Sequence, residues 1–158
     1  MRTLYIDLAG AERSFALVDD THVVGSVTID DHRAEERLMP AIDALLKDAG
    51  WNREDLTHVA AVTGPGGFMT IRVAVSLANA IAFALGIPST GLHLSDVWHA
   101  RVTSDESRVT GTMAARNSEL RARDCVWLHS TKKTHAFARG FGSFEKLWPE
   151  AVLQPIGE

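Results

Sequence analysis

Hydrophobic and polar residues alternate in short stretches at the start of the chain. Residues 4–8 alternate between the two kinds, and residues 15–18 and 23–29 form two further apolar stretches. Alternation with a period of two is typical of a half-buried β-strand. The turn-forming segment Asp19-Asp20-Thr21 separates the second stretch from the third. The sequence therefore predicts three strands, of which the last two form a hairpin.

The next segment of the chain has the hydrophobic period of an α-helix. Four apolar residues recur at the spacing of one helix face: Leu38, Ile42, Leu45 and Leu46. We expect an amphipathic α-helix with Asp31 as its N-cap and Gly50 just after its last turn. Pro40 lies inside this pattern, where it is expected to kink the helix or to mark its first turn.

The middle of the chain predicts a buried strand, a glycine-rich turn and an apolar helix. Residues 59–62 are continuously apolar, as in a strand that is covered on both faces. Gly64-Pro65-Gly66-Gly67 forms the turn, and residues 69–85 are almost all small or apolar. Gly86 and Pro88 are expected to end this helix. A helix without a polar stripe has to be covered on most sides.

Beyond residue 88 the pattern of hydrophobic and polar residues is weaker. It predicts a strand at 89–92, a helix at 95–102, strands at 109–114 and 120–128, and one helical turn at 144–148. The order βββαβαβ indicates an α/β fold, a mixed sheet with flanking helices. This order suits a ribonuclease H-like or actin-like half-domain.

Composition narrows the class of protein. The 158 residues suit one compact domain. The net charge of −4 argues against tight nucleic-acid binding by this chain alone.

The lone Cys125 suits a reducing compartment, and no secretory segment opens the chain, so we expect a cytoplasmic location. The apolar stretch at 73–85 contains Ser76 and Asn79 and is interpreted as too short to span a bilayer.

The turn and the segments around it resemble the TsaB/YeaZ family. That family's pattern is a strand, then G-P-G-S-F-T-G-[LV]-R, a helix of small residues and a G-[IV]-P turn. Five residues match the turn: Gly64, Pro65, Gly66, Phe68 and Arg72. Further matches follow at Ala78, Ala82, Leu85, Gly86, Ile87, Pro88 and Gly91. Segments 4–7, 37–40 and 114–120 also resemble the family, whereas Gly67, Met69 and Thr70 depart from its pattern.

The resemblance implies an actin-like (ASKHA) fold and a pseudo-enzyme. Family members are longer and have a second lobe, so residues 1–158 are predicted to form one TsaB-like domain in which that lobe is largely absent and 105–158 are its remnant. Such proteins pair with a TsaD-like partner, alongside a TsaE-like protein, to make N6-threonylcarbamoyladenosine at position 37 of tRNA. The resemblance implies no cofactor, only indirect contact with tRNA and no membrane.

Three catalytic alternatives compete with this interpretation. A metal site has little support, because His93 and His99 do not share a helix face and no H-E-x-x-H pattern occurs. A ribonuclease H-like nuclease would use Asp7 and Glu36 but has no acid at the end of the fourth strand. An actin-like ATPase would also centre on Asp7. The turn is not a P-loop, because Phe68 rather than lysine follows Gly67.

The two helices supply the predicted partner interface. Six apolar residues are expected to contact the partner: Leu38, Ile42, Leu45, Val75, Ala78 and Ala82. Large exposed apolar patches commonly mark interfaces, and the family is expected to pair through its first two helices. Self-association through the same face is expected when the partner is absent.

Overall fold

The computed structural model describes residues 1–9, 13–20, 22–29, 34–104, 125–132, 135–141, 145–146, 150 and 152–155. The chain divides into two compact units, Met1–Leu92 and His93–Glu158. The prediction of one domain with a remnant second lobe at 105–158 stays a prediction.

A five-stranded mixed sheet forms the frame of the first unit. Its strands are β1 (Arg2–Asp7), β2 (Arg13–Asp19), β3 (His22–Ile29), β4 (His58–Gly64) and β5 (Ser89–His93). Their order is β3-β2-β1-β4-β5. β1 to β3 form an antiparallel meander, whereas β1 and β4 are parallel. The predicted hairpin and mixed sheet are confirmed.

Two helices link strands of this sheet: the first lies between β3 and β4 in the chain, and the second between β4 and β5. They are α1 (Ala34–Asp48) and α2 (Phe68–Leu85). Gly50 and Gly86 follow them with φ of 69° and 65°. Glycine adopts this left-handed conformation without a steric penalty, so both predicted helix ends are confirmed. Pro40 lies inside α1. The proposed N-cap Asp31 lies outside the described residues.

One hydrophobic core joins both helices to the sheet. β1, β2 and β4 contribute alternate residues to it, because successive side chains of a strand point to opposite faces. These include Leu4, Ile6, Phe15, Leu17, Val59 and Ala61. The helices add Leu38, Ile42, Leu45, Leu46, Ala74, Ala78 and Ala82.

The second unit contains one helix and a three-stranded antiparallel sheet. The helix is α3 (Leu94–Ser104), and the strands are β6 (Cys125–Lys132), β7 (His135–Phe141) and β8 (Val152–Pro155), in the order β6-β7-β8. The pattern predicted α3 and the start of β6 but missed β7 and β8. The predicted strand at 109–114 lies outside the described residues, as does most of the helical turn at 144–148.

Candidate partner-binding site

The glycine-rich turn closes over the end of β1. A Cβ atom on Gly66 would lie 2.5 Å from the carbonyl oxygen of Ala9 and 3.0 Å from its Cα. Gly64 has a φ of 110°, and a Cβ there would lie 2.8 Å from a side-chain carbon of Ile71. The turn therefore requires glycine at these two positions, for space at Gly66 and for backbone conformation at Gly64.

The carboxylate of Asp7 is bound by its own neighbours. Its Oδ1 accepts the backbone N–H of Ala9 at 3.1 Å, and its Oδ2 accepts the hydroxyl of Tyr5 at 3.3 Å. Both contacts fix the chain where β1 ends. Glu36, the second acid of the nuclease alternative, is exposed on α1.

The turn leads directly into α2. Gly67 is the N-cap and has no side chain to cap the helix, but the hydroxyl of Thr70 donates to its carbonyl at 2.8 Å. The guanidinium of Arg72 lies 5.5 Å from the centre of the Phe68 ring and 4.0 Å from the sulfur of Met69. The three side chains thus form one exposed group over the first turns of the helix.

α2 has a buried face and an exposed face that are both nearly free of charge. Ala74, Ala78 and Ala82 are buried against the sheet. The opposite side carries an exposed stripe whose members mostly lie three or four residues apart, which we call the outer stripe: Met69, Arg72, Ser76, Asn79, Ala80 and Phe83. Phe83 is 91% exposed and Met69 59%. Residues with this spacing lie on one face of a helix, so the outer stripe forms a continuous surface along α2.

The structure places the predicted interface residues mostly inside the first unit. Five are buried in its core: Leu38, Ile42, Leu45, Ala78 and Ala82. Val75 is partly exposed. The five buried side chains pack α1 and α2 on the sheet. The outer stripe, which the sequence interpretation did not single out, is the exposed face of α2.

α2 is also long and apolar enough to cross a membrane by length and composition, with a mean hydropathy of 1.8. It begins at Phe68 rather than at Val73, so the interpretation of the apolar stretch as too short does not hold for the observed helix. Its alanine face packs in the core of the first unit. Among the described residues, no group of three or more histidine, cysteine or acidic side chains is placed to hold a metal ion.

Comparison with known proteins identifies the family. A family model described as "TsaD: tRNA N6-adenosine threonylcarbamoyltransferase" matches residues 23–149. The tRNA threonylcarbamoyladenosine biosynthesis protein TsaB of Bacillus subtilis is 33% identical over 121 residues, which are 76% of this chain and 53% of that protein. The chain belongs to the TsaB/YeaZ family.

Other relatives define the extent of the match to the TsaB/YeaZ family. An uncharacterized protein of Mycobacterium tuberculosis is 36% identical over 109 residues, 68% of this chain and 48% of that protein. The chain thus spans about half the length of the curated relatives it matches. The structure of YeaZ from Pseudomonas aeruginosa aligns with a TM-score of 0.67 at 18% identity, covering 99% of this chain and 64% of that one. This alignment confirms the predicted actin-like fold.

A second structural neighbour is described as an uncharacterized protein with similarity to peptidase YEAZ from Pseudomonas aeruginosa. It aligns with a TM-score of 0.66 at 19% identity and covers 99% of this chain and 64% of that one. At this identity the likeness concerns the fold of the TsaB/YeaZ family and not its chemistry.

A polar cluster in the second unit is a further feature that the sequence pattern did not reveal. His93 precedes α3, and its Nδ1 accepts the backbone N–H of Ser95 at 3.2 Å and lies 2.7 Å from the Ser95 hydroxyl. Arg139 of β7 donates to the same hydroxyl at 2.9 Å and pairs with Asp96 at 2.8 Å. Phe141 stacks on His99 with ring centres 4.1 Å apart. No sequence spacing links α3 to β7, so only the fold reveals this cluster.

The cluster has the features of a helix cap. Burial lowers the pKa of His93, the positive charge of Arg139 lowers it further, and Asp96 opposes this in part. A neutral His93 accepts the backbone N–H at the start of α3, which is the role of an N-cap side chain. Ser95 is fully buried. The cluster therefore stabilises α3 and does not present a nucleophile.

Proposed function

We propose that this chain is a non-catalytic TsaB-type subunit that pairs with a TsaD-like protein and supports threonylcarbamoylation of tRNA. The observation that carries the proposal is the outer stripe of α2, an exposed and almost uncharged helix face in a member of the TsaB/YeaZ family. A helix with apolar side chains on its solvent side gains free energy when a second surface covers it.

The end of β1 supports a role without chemistry of its own. Asp7 is engaged by Tyr5 and Ala9, and Gly66 packs directly on Ala9. A metal ion bound by Asp7 would compete with these contacts for the two carboxylate oxygens. The ATPase and nuclease alternatives would both use this carboxylate, so the close packing around it favours a structural role.

The remaining partners follow from the family. We propose a TsaE-like protein in the same assembly, tRNA contact only through the assembly, a cytoplasmic location and no cofactor on this chain. A homodimer through the face that α1 and α2 form together is proposed for the isolated protein. The buried residues Leu38, Ile42, Leu45, Ala78 and Ala82, together with Val75, hold the two helices in position for either contact.

The role is tested by reconstitution. The TsaD-like protein of the same genome is assayed for tRNA modification with and without this chain, in the presence of the other components. We expect modification to depend on the chain. Calorimetry of the isolated chain with ATP and magnesium is expected to show no binding. Full modification without the chain, or tight ATP binding by it alone, would contradict the proposal and favour an Asp7-centred function.

The surface is tested by one substitution on each of two exposed apolar sites. Phe83→Glu places a charge in the outer stripe and is expected to weaken pairing with the TsaD-like protein about 100-fold or more, because it removes a large apolar contact and buries a charge. Val23→Glu, on the exposed side of β3, is the matched control and is expected to leave pairing unchanged. Equal effects of the two substitutions would show that α2 is not the contact.

A further inference from the structure

Arg72 is the one charged residue in the sequence of α2. It lies in the outer stripe, one turn from the start of the helix, and its guanidinium is held between the Phe68 ring and the sulfur of Met69. Phe68 is 72% exposed and Met69 59%. The cation therefore lies beside two large exposed apolar side chains.

Within the described residues, Arg72 forms no ion pair with a carboxylate, unlike several other arginines. Arg53 pairs with Asp43, Arg2 with Asp55 and Arg139 with Asp96. While α2 faces water, the solvent stabilises the Arg72 charge. Once another molecule covers the outer stripe, this solvation is lost, and a guanidinium buried without a counter-charge is strongly unfavourable.

We propose that Arg72 determines which partner can bind α2, by pairing with an aspartate or glutamate on a helix of that partner. This inference rests on the proposed pairing with a TsaD-like protein and specifies its chemistry. The spacing of the outer stripe suits a partner helix that runs along α2, and the carboxylate of that helix lies opposite Arg72. Phe68 and Met69 fix the guanidinium before binding, so less side-chain freedom is lost on association.

The same argument favours a different protein over a second copy of this chain. α2 contains neither aspartate nor glutamate. If two copies packed α2 against α2, both Arg72 side chains would be covered and neither helix would supply a counter-charge. Arg72 thus disfavours the self-contact and selects a partner whose facing helix is acidic, which is a common way to obtain specificity.

The experiment compares four full-length proteins: wild type, Arg72→Met, Arg72→Glu and Lys146→Glu. Arg72→Met keeps an unbranched apolar stem and removes the charge. Lys146→Glu makes the same charge reversal at an exposed turn of the second unit. Affinity for the TsaD-like protein is measured by calorimetry at low and at high salt, and self-association by sedimentation. Arg72 is exposed, so all four are expected to fold, and circular dichroism checks this.

We expect Arg72→Met to weaken pairing with the TsaD-like protein about 10-fold or more and Arg72→Glu about 100-fold or more, because each leaves the partner's carboxylate buried without its counter-ion. The affinity of Arg72→Met should fall less with added salt than that of wild type, whereas the affinity of Arg72→Glu should rise with salt, because salt screens the repulsion between the two carboxylates. Lys146→Glu should bind like wild type. Self-association of Arg72→Met should equal or exceed that of wild type, because the substitution removes an uncompensated charge from the self-contact.

Pairing by Arg72→Met that is as tight as wild type, or tighter, would overturn this inference and leave the proposed function standing. Loss of self-association in Arg72→Met would also overturn it, because the carboxylate would then belong to a second copy. Absence of any binding by the wild-type chain would overturn the proposed function and this inference together.

Discussion

Gly66 shows at the scale of one residue why the family turn needs glycine. A Cβ at this position would overlap the backbone of Ala9, whose atoms belong to the main chain and cannot rotate away. Gly25 of β3 is different, because a Cβ added there would meet only the end of the Leu45 side chain, at 3.2 Å. The two glycines therefore predict different responses to the same substitution.

Gly66→Ala is expected to lower the free energy of unfolding by about 1–3 kcal/mol, the usual cost of forcing an extra carbon into a packed site. Gly25→Ala is expected to change it by less than about 1 kcal/mol, because a leucine methyl group can move and alanine suits a strand better than glycine. Urea unfolding followed by tryptophan fluorescence measures both. A larger loss for Gly25→Ala would show that the turn does not pack on Ala9 as described.

His93 makes the second unit sensitive to acid. Its pKa is lowered in the folded protein, first by burial and then by Arg139. The unfolded chain therefore binds more protons when the pH falls below the ordinary histidine value of about 6.5. The stabilisation from neutral His93 is fully present above that pH and is lost as the pH falls towards the lower, folded-state pKa.

An NMR titration is expected to give His93 a pKa below its ordinary value in wild type and a higher pKa in Arg139→Gln, where the nearby positive charge is gone. His93→Asn keeps a side chain that caps helices well but does not titrate, so its stability should depend less on pH below the ordinary histidine value of about 6.5. A His93 pKa that does not respond to Arg139→Gln would contradict the described cluster.

At the scale of elements, the sequence predicted those whose pattern has a clear period. β1 to β3 alternate, and α1 has one apolar face, so both types could be recognised before the fold was known. β8 is short and ends in Pro155, which is tolerated because β8 is an edge strand of its sheet. β7 contains Gly140 and small residues, so its pattern gives little signal.

The orientation of α2 could not be predicted, because nearly all of its residues are apolar. Its polar residues Arg72, Ser76 and Asn79 lie four and three residues apart on the exposed face, but so few polar residues in a helix of 18 give only a weak signal for the face in solvent. The sequence thus predicts that Ala78 contacts a partner, whereas it is buried in the core, and gives no reason to single out Phe83, which is 91% exposed. Only the packing of α2 on β4 and β1 assigns the two faces.

Glutamate substitutions on the two faces of α2 are expected to change the free energy of unfolding by very different amounts. Ala78→Glu is expected to lower the free energy of unfolding by about 3 kcal/mol or more, because it buries a charge and overfills a packed site. Phe83→Glu is expected to change it by about 0.5 kcal/mol or less, as is usual for exposed positions. Thermal unfolding measured by circular dichroism compares them. Similar losses for both would contradict the assignment of the faces.

At the scale of the whole molecule, comparison with known proteins places the chain in its family. The Bacillus subtilis relative shows the TsaB/YeaZ family, the family model for TsaD matches most of the chain, and the YeaZ structure has the same fold. The chain covers about half of its curated relatives. The family model spans residues 23–149, which include the glycine-rich turn and α2. The matched region therefore contains the elements on which the proposed pairing depends.

Hydrogen exchange with and without the TsaD-like protein tests the pairing through α2 most directly. The proposal predicts that exchange slows in peptides covering residues 68–85 when the partner is added, because a covered helix opens less often. Peptides from β3 serve as the internal reference and should be unchanged. If exchange slows in β3 or in the second unit but does not slow at 68–85, pairing through the outer stripe is contradicted.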